Sequence, residues 1–158
     1  MRFWLLALLA VSGVAAQKYD GPRPEKADLP YLLHGSKLVP VEIGEAREEK
    51  RKDGTAYVSP GVASSVRTPM AEPTFLFEAK TLEAEKLTLY KLEVKNGARE
   101  VFFFDNPKKR KDSLRPLRIS VTRVAPGLSR VEVTETLVAG EYALTPEGSN
   151  QVFLFQVI

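Results

Sequence analysis

The chain has 158 residues, 23 basic and 20 acidic side chains, a formal net charge of +3 and no cysteine. Without cysteine there can be no disulfides, thiolate nucleophiles, thiolate metal sites or lipid on an N-terminal cysteine, so the fold must be held by its hydrophobic core alone. The mixed charge makes no case for sequence-specific nucleic-acid binding, and the length suits one domain with its own core.

Arg2 precedes a mainly apolar run over residues 3–16 that is too short to span a bilayer. Val14 and Ala16 are the small residues a signal peptidase reads, so residues 1–16 are expected to be a cleavable signal peptide that leaves no transmembrane segment behind. Cleavage would remove Arg2 from the charge balance. Export of a cysteine-free domain fits a bacterial periplasmic or extracellular setting. Residues 17–29 hold Gly21, Pro22 and Pro24 and no repeating apolar face, which predicts a flexible leader before a domain over residues 30–158.

From there the apolar residues recur in short runs between turn signals. Strands are expected at 31–34 and 37–43, joined at Gly35-Ser36. The charged run 45–53 has almost no apolar face for a helix, and reads as a solvated hairpin arm that turns at Asp53-Gly54 and returns through Thr55, Tyr57 and Val58. Residues 59–73 contain three prolines and no periodicity, the mark of a long surface loop. A strand follows at 74–80, with Phe75, Phe77 and Ala79 on one side and Leu76 on the other. Residues 87–95 and 98–104 flank Asn96-Gly97, which suits a type I′ hairpin turn, and a change of alternation between Leu89 and Tyr90 predicts a bulge. Further strands are expected at 117–124, 128–135, 140–144 and 151–158.

The segment Leu137-Val-Ala-Gly140-Glu-Tyr142-Ala-Leu144 resembles the tyrosine corner of immunoglobulin-like and fibronectin type III sandwiches. The resemblance implies an all-β, immunoglobulin-like antiparallel sandwich of about seven to nine strands, with Tyr142 buried at the corner and its hydroxyl on upstream backbone. As a whole the chain is also similar to exported bacterial proteins that end in a Gly-Glu-Tyr hairpin and carry no assigned activity. Neither likeness speaks to function.

Candidate chemistry is sparse. His34 is the single histidine, too little for a metal site or an acid–base relay, and no cofactor is expected. Ser59, Ser64 and Ser65 lack the glycine-flanked elbow of a hydrolase nucleophile. Glu42, Glu45, Glu48 and Glu49 could supply a carboxylate pair, but a charge run is first a solvated face. Lys108, Lys109, Arg110 and Lys111 form the strongest single-sign feature, a possible contact for a polyanion or else a solubility loop. Phe103 should face one side of its strand, with Phe102 and Phe104 on the other, and the core is the preferred place for them. These features favour an exported, non-catalytic interaction or structural module with a protein or envelope-polymer partner. The alternatives are a small hydrolase of envelope polymer and a carbohydrate-binding module.

Overall fold

A computed structural model describes residues 18–109 and 115–158. The expected signal peptide over 1–16, residue 17, and Arg110 and Lys111 of the basic run lie outside the described residues. The described chain is all-β, with thirteen strands: β1 (Tyr31–His34), β2 (Lys37–Pro40), β3 (Glu42–Glu45), β4 (Arg47–Arg51), β5 (Gly54–Pro60), β6 (Arg67–Thr68), β7 (Thr74–Glu78), β8 (Thr88–Lys95), β9 (Ala98–Phe104), β10 (Ile119–Ala125), β11 (Leu128–Val133), β12 (Gly140–Thr145) and β13 (Gln151–Val157). A single 3-10 turn at Ala84–Lys86 precedes β8.

Thirteen strands replace the seven to nine expected, partly because one apparent strand serves two sheets. The 37–43 run divides at Pro40, so that β2 pairs with β1 while β3 pairs with β13. Pro40 has no N–H to give a ladder, and the next N–H, that of Val41, turns back to the Pro30 carbonyl at 3.2 Å. The loop at 59–73 also contributes a strand, since β6 runs parallel to the end of β13. The charged arm is a hairpin as expected, with β4 and β5 in register from Arg47↔Val58 to Arg51↔Gly54. Gly54 is required there, because a Cβ at that position would lie 2.0 Å from the Phe103 carbonyl oxygen. The Asn96-Gly97 hairpin also forms, with φ of 51° and 73° at its two turn residues.

The strands make two sheets. The smaller has the order β10-β11-β7-β1-β2, and the larger β3-β13-β12-β8-β9-β5-β4, with β6 beside β13. The two ends of the larger sheet, β3 and β4, are consecutive pieces of chain separated only by Ala46. A sheet whose edges are joined by one residue must be rolled, and the Ala46 N–H continues the β3 side of the ladder to the Asn150 carbonyl at 2.7 Å. Rolling removes the long open edges that invite pairing with other chains.

Each strand of the roll therefore has a face toward its interior and a face toward its outside. The outer face of β8, β12 and β13 packs on the smaller sheet: Leu89, Tyr142, Leu144, Phe153, Phe155 and Val157 meet Phe75, Phe77, Val131 and Val133 in one fully buried core. Tyr142 stacks on Phe155 at 5.6 Å and Phe155 tilts on Phe75 at 5.0 Å. The opposite face sends Ala46, Leu92, Val101, Ala143, Val152 and Leu154 into the roll. Both faces of the inner strands are covered, so 152–155 reads as an unbroken apolar run. The same double cover explains Leu89 and Tyr90. No bulge separates them: Leu89↔Leu144 and Tyr90↔Ala143 lie in continuous register, and the register shift falls instead between Arg123 and Ala125.

Residues 18–30 carry no strand or helix, although Pro24, Leu29 and Pro30 are buried. Asp28, at φ 59°, accepts hydrogen bonds from the N–H groups of Lys80, Thr81 and Leu82 and from the Thr81 hydroxyl. Burial opposes its ionisation, but these donors outweigh it and hold the carboxyl at about 2, below its ordinary 3.8.

Candidate functional site at the mouth of the roll

The interior of the roll has two unlike ends. Inward alternation on β5, β8 and β9 brings Tyr57, Tyr90 and Phe103 together at one of them. Phe103 stands edge-on to both tyrosines, with centroids 5.9 Å from Tyr57 and 5.6 Å from Tyr90. The connection from β12 to β13 supplies the rest of the rim through Thr145, Pro146, Gly148, Ser149, Asn150 and Gln151, while Ala46, Val101 and Val152 line the wall below. The result is a cavity of about 320 Å³, open to solvent, whose lining residues are all uncharged. Burial raises the Tyr90 hydroxyl above its ordinary range, so it stays protonated at neutral pH. Small-ligand sites have this composition: mostly apolar and aromatic walls with a few polar groups that fix orientation.

The other end is closed by an ion cluster. Arg99 is 2% exposed and reaches Glu42 at 3.0 Å and Glu141 at 3.7 Å. Its guanidinium also donates to the carbonyls of Pro60 and Gly61 at 2.8 and 3.2 Å. Glu141 accepts the Ser64 N–H at 3.0 Å and Glu42 the Ser65 N–H at 3.1 Å, while the Ser64 hydroxyl donates to the Leu154 carbonyl at 3.1 Å. The 59–73 loop is thus tied across this end of the roll. Burial pushes the Glu141 carboxyl up, and its Oε1 makes no hydrogen bond among the described residues. Burial also opposes ionisation of Glu42, but Arg99 beside it and the Ser64 and Ser65 donors bring its carboxyl below the ordinary value. With four partners Arg99 is fully used, so the cluster acts as a structural clasp.

The sequence candidates fall elsewhere. His34 is exposed at the end of β1, and no group of three or more metal-ligating side chains occurs among the described residues. Of the four carboxylates weighed as a pair, only Glu42 enters the clasp: Glu48 pairs with Lys50, and Glu49 with Arg47 and Arg51, on the surface of the β4–β5 hairpin. Ser59 and Ser64 are buried and Ser65 is exposed. Phe102 and Phe104 lie outside the roll in edge-to-face contact at 4.9 Å, and with Phe103 they are half-buried and not fully core. Lys108 and Lys109 are exposed, the Lys109 ammonium standing 5.9 Å from the Phe104 ring. Tyr142 is 1% exposed and its hydroxyl donates to the Val138 carbonyl at 2.6 Å.

Sequence reasoning missed the mouth because its three rings come from three strands whose pairing order is not local. Glu141 did leave a signal, as a lone charge in a strand that is apolar on both faces. No protein-family model, curated protein or solved structure matches the chain.

Proposed function

We propose that this chain is an exported, non-catalytic binding module of the bacterial cell envelope whose ligand enters the mouth of the roll. The observation that carries the reading is the open, uncharged cavity walled by Tyr57, Tyr90 and Phe103. Its groups can stack and hydrogen-bond, whereas the buried carboxylates that could have served as acid and base are spent on Arg99 and on closing the far end. Export rests on the N-terminal sequence, with cleavage before Gln17. The immunoglobulin-like likeness is supported at its corner by the Tyr142–Val138 hydrogen bond, and we confine it to that corner because the larger sheet is rolled.

The test is to express the full chain in a bacterium, collect the exported fraction and sequence its N-terminus, expecting Gln17. The purified protein is then incubated with envelope polysaccharides and ester substrates. The reading requires no turnover. Hydrolysis lost on changing Glu42 or Ser64 would replace it with the hydrolase reading.

A further inference from the structure

Resting on that binding reading, we infer that the mouth of the roll is a subsite for an uncharged sugar, one or two rings in size. Size is the first argument. A cavity of about 320 Å³ lies at the bottom of the range for small-ligand pockets, and it cannot deepen, because Leu92, Ala143 and Leu154 fill the roll beneath it. A long acyl chain needs such depth.

Charge is the second argument. An ionic ligand held away from water needs a partner of opposite charge, and the lining offers none. Arg99, the one buried cation among the described residues, is occupied by Glu42, Glu141 and two backbone carbonyls at the opposite end, and the Lys50 ammonium on β4 is paired with Glu48.

Polar chemistry is the third. Tyr57, Tyr90 and Asn150 line the cavity, and their side-chain hydroxyls and amide make no hydrogen bond among the described residues. Hydroxyls and amides both donate and accept, which matches sugar hydroxyls that do the same. The three rings offer apolar surface with a polar tip, suited to the carbon–hydrogen face of a pyranose. A wholly apolar ligand would leave those three polar groups unpaired as it covered them, which opposes its binding.

The test is calorimetric titration of the exported protein with three neutral disaccharides (maltose, cellobiose and N,N′-diacetylchitobiose), a uronic-acid disaccharide and an apolar dye. At least one neutral disaccharide should bind, and Tyr90→Phe and Asn150→Ala should each weaken it about tenfold, the loss of roughly one hydrogen bond. Both variants keep the ring packing and loop backbone, so their unfolding midpoints should match the wild type, whereas Tyr57→Ala should abolish binding. Binding of only the dye or the acidic sugar, lost in Tyr57→Ala, would overturn the sugar and leave the binding reading standing. Neutral-sugar binding indifferent to all three variants would overturn the mouth as its site. Cleavage of a disaccharide during titration would overturn the non-catalytic reading, and silence from every probe would overturn both.

Discussion

The two apolar regions of this domain are built from different materials. Between the sheets, Phe75, Phe77, Tyr142, Phe153 and Phe155 are each buried to within 1% of complete. Inside the roll the buried members are small or aliphatic (Ala46, Leu92, Val101, Ala143, Val152 and Leu154), and the aromatic members Tyr57, Tyr90 and Phe103 remain half-buried at its mouth. Large rings removed wholly from water are where burial contributes most to stability. Rings that stay partly wet contribute less and remain available to a ligand. The comparison separates a region that holds the fold from a region that can bind.

The largest expected effect follows from that contrast. Phe155→Ala removes a ring that touches both Tyr142 and Phe75, and should cost about 3–5 kcal/mol in urea unfolding. Tyr57→Ala at the mouth should cost less than half as much. Equal losses at the two positions would erase the distinction between the regions.

Breaking the clasp comes next. Arg99→Ala strands Glu141 and part of Glu42 at the closed end of the roll and should cost about 3 kcal/mol, as loss of one partner from a buried ion cluster does. Proteolysis within 59–73 should quicken with it, since Pro60 and Gly61 lose their donor.

Glu141→Gln sharpens the same point by its pH dependence. Burial raises the Glu141 carboxyl in the folded chain, so the stability it contributes is present below the ordinary value of 4.5 and is lost as pH rises through the raised one. Glutamine escapes that loss, so the variant's advantage over the wild type should grow between pH 4 and pH 7. Unfolding curves at both pH values measure it; an advantage that shrinks as pH rises would mean that Glu141 is favoured in its charged form.

Tyr142→Phe should cost about 1 kcal/mol through the unpaired Val138 carbonyl. Smallest of all, replacing Lys108, Lys109, Arg110 and Lys111 by Gln should leave the unfolding midpoint within about 0.5 kcal/mol of the wild type. If the run contacts a polyanion, the variant should lose binding to anionic vesicles at low salt.

What the sequence made legible was local. Asn96-Gly97 identified its hairpin because positive φ at both residues is a property of those residues alone. The charged arm was legible because no helix can form a packed face from Ala46 alone. Tyr142 was legible because a corner is specified within a few residues of chain. The rolled sheet was not, since it depends on β3 meeting β13 and β5 meeting β9, contacts between segments far apart in sequence. Alternation also misled at Leu89 and Tyr90, where two apolar neighbours meant two covered faces and no bulge. The mouth inherits that blindness: Tyr57, Tyr90 and Phe103 lie on β5, β8 and β9, and each reads in sequence as an ordinary strand aromatic.

The most direct measurement of the central claim is a backbone NMR titration of the exported protein with the neutral disaccharide that binds most tightly. The account predicts shift changes confined to Ala46, Tyr57, Tyr90, Phe103 and the 145–152 turn, with the residues around Arg99 and those of the smaller sheet unmoved. Shift changes centred on the basic run at 108–111, or on the sheet-to-sheet core, would contradict it.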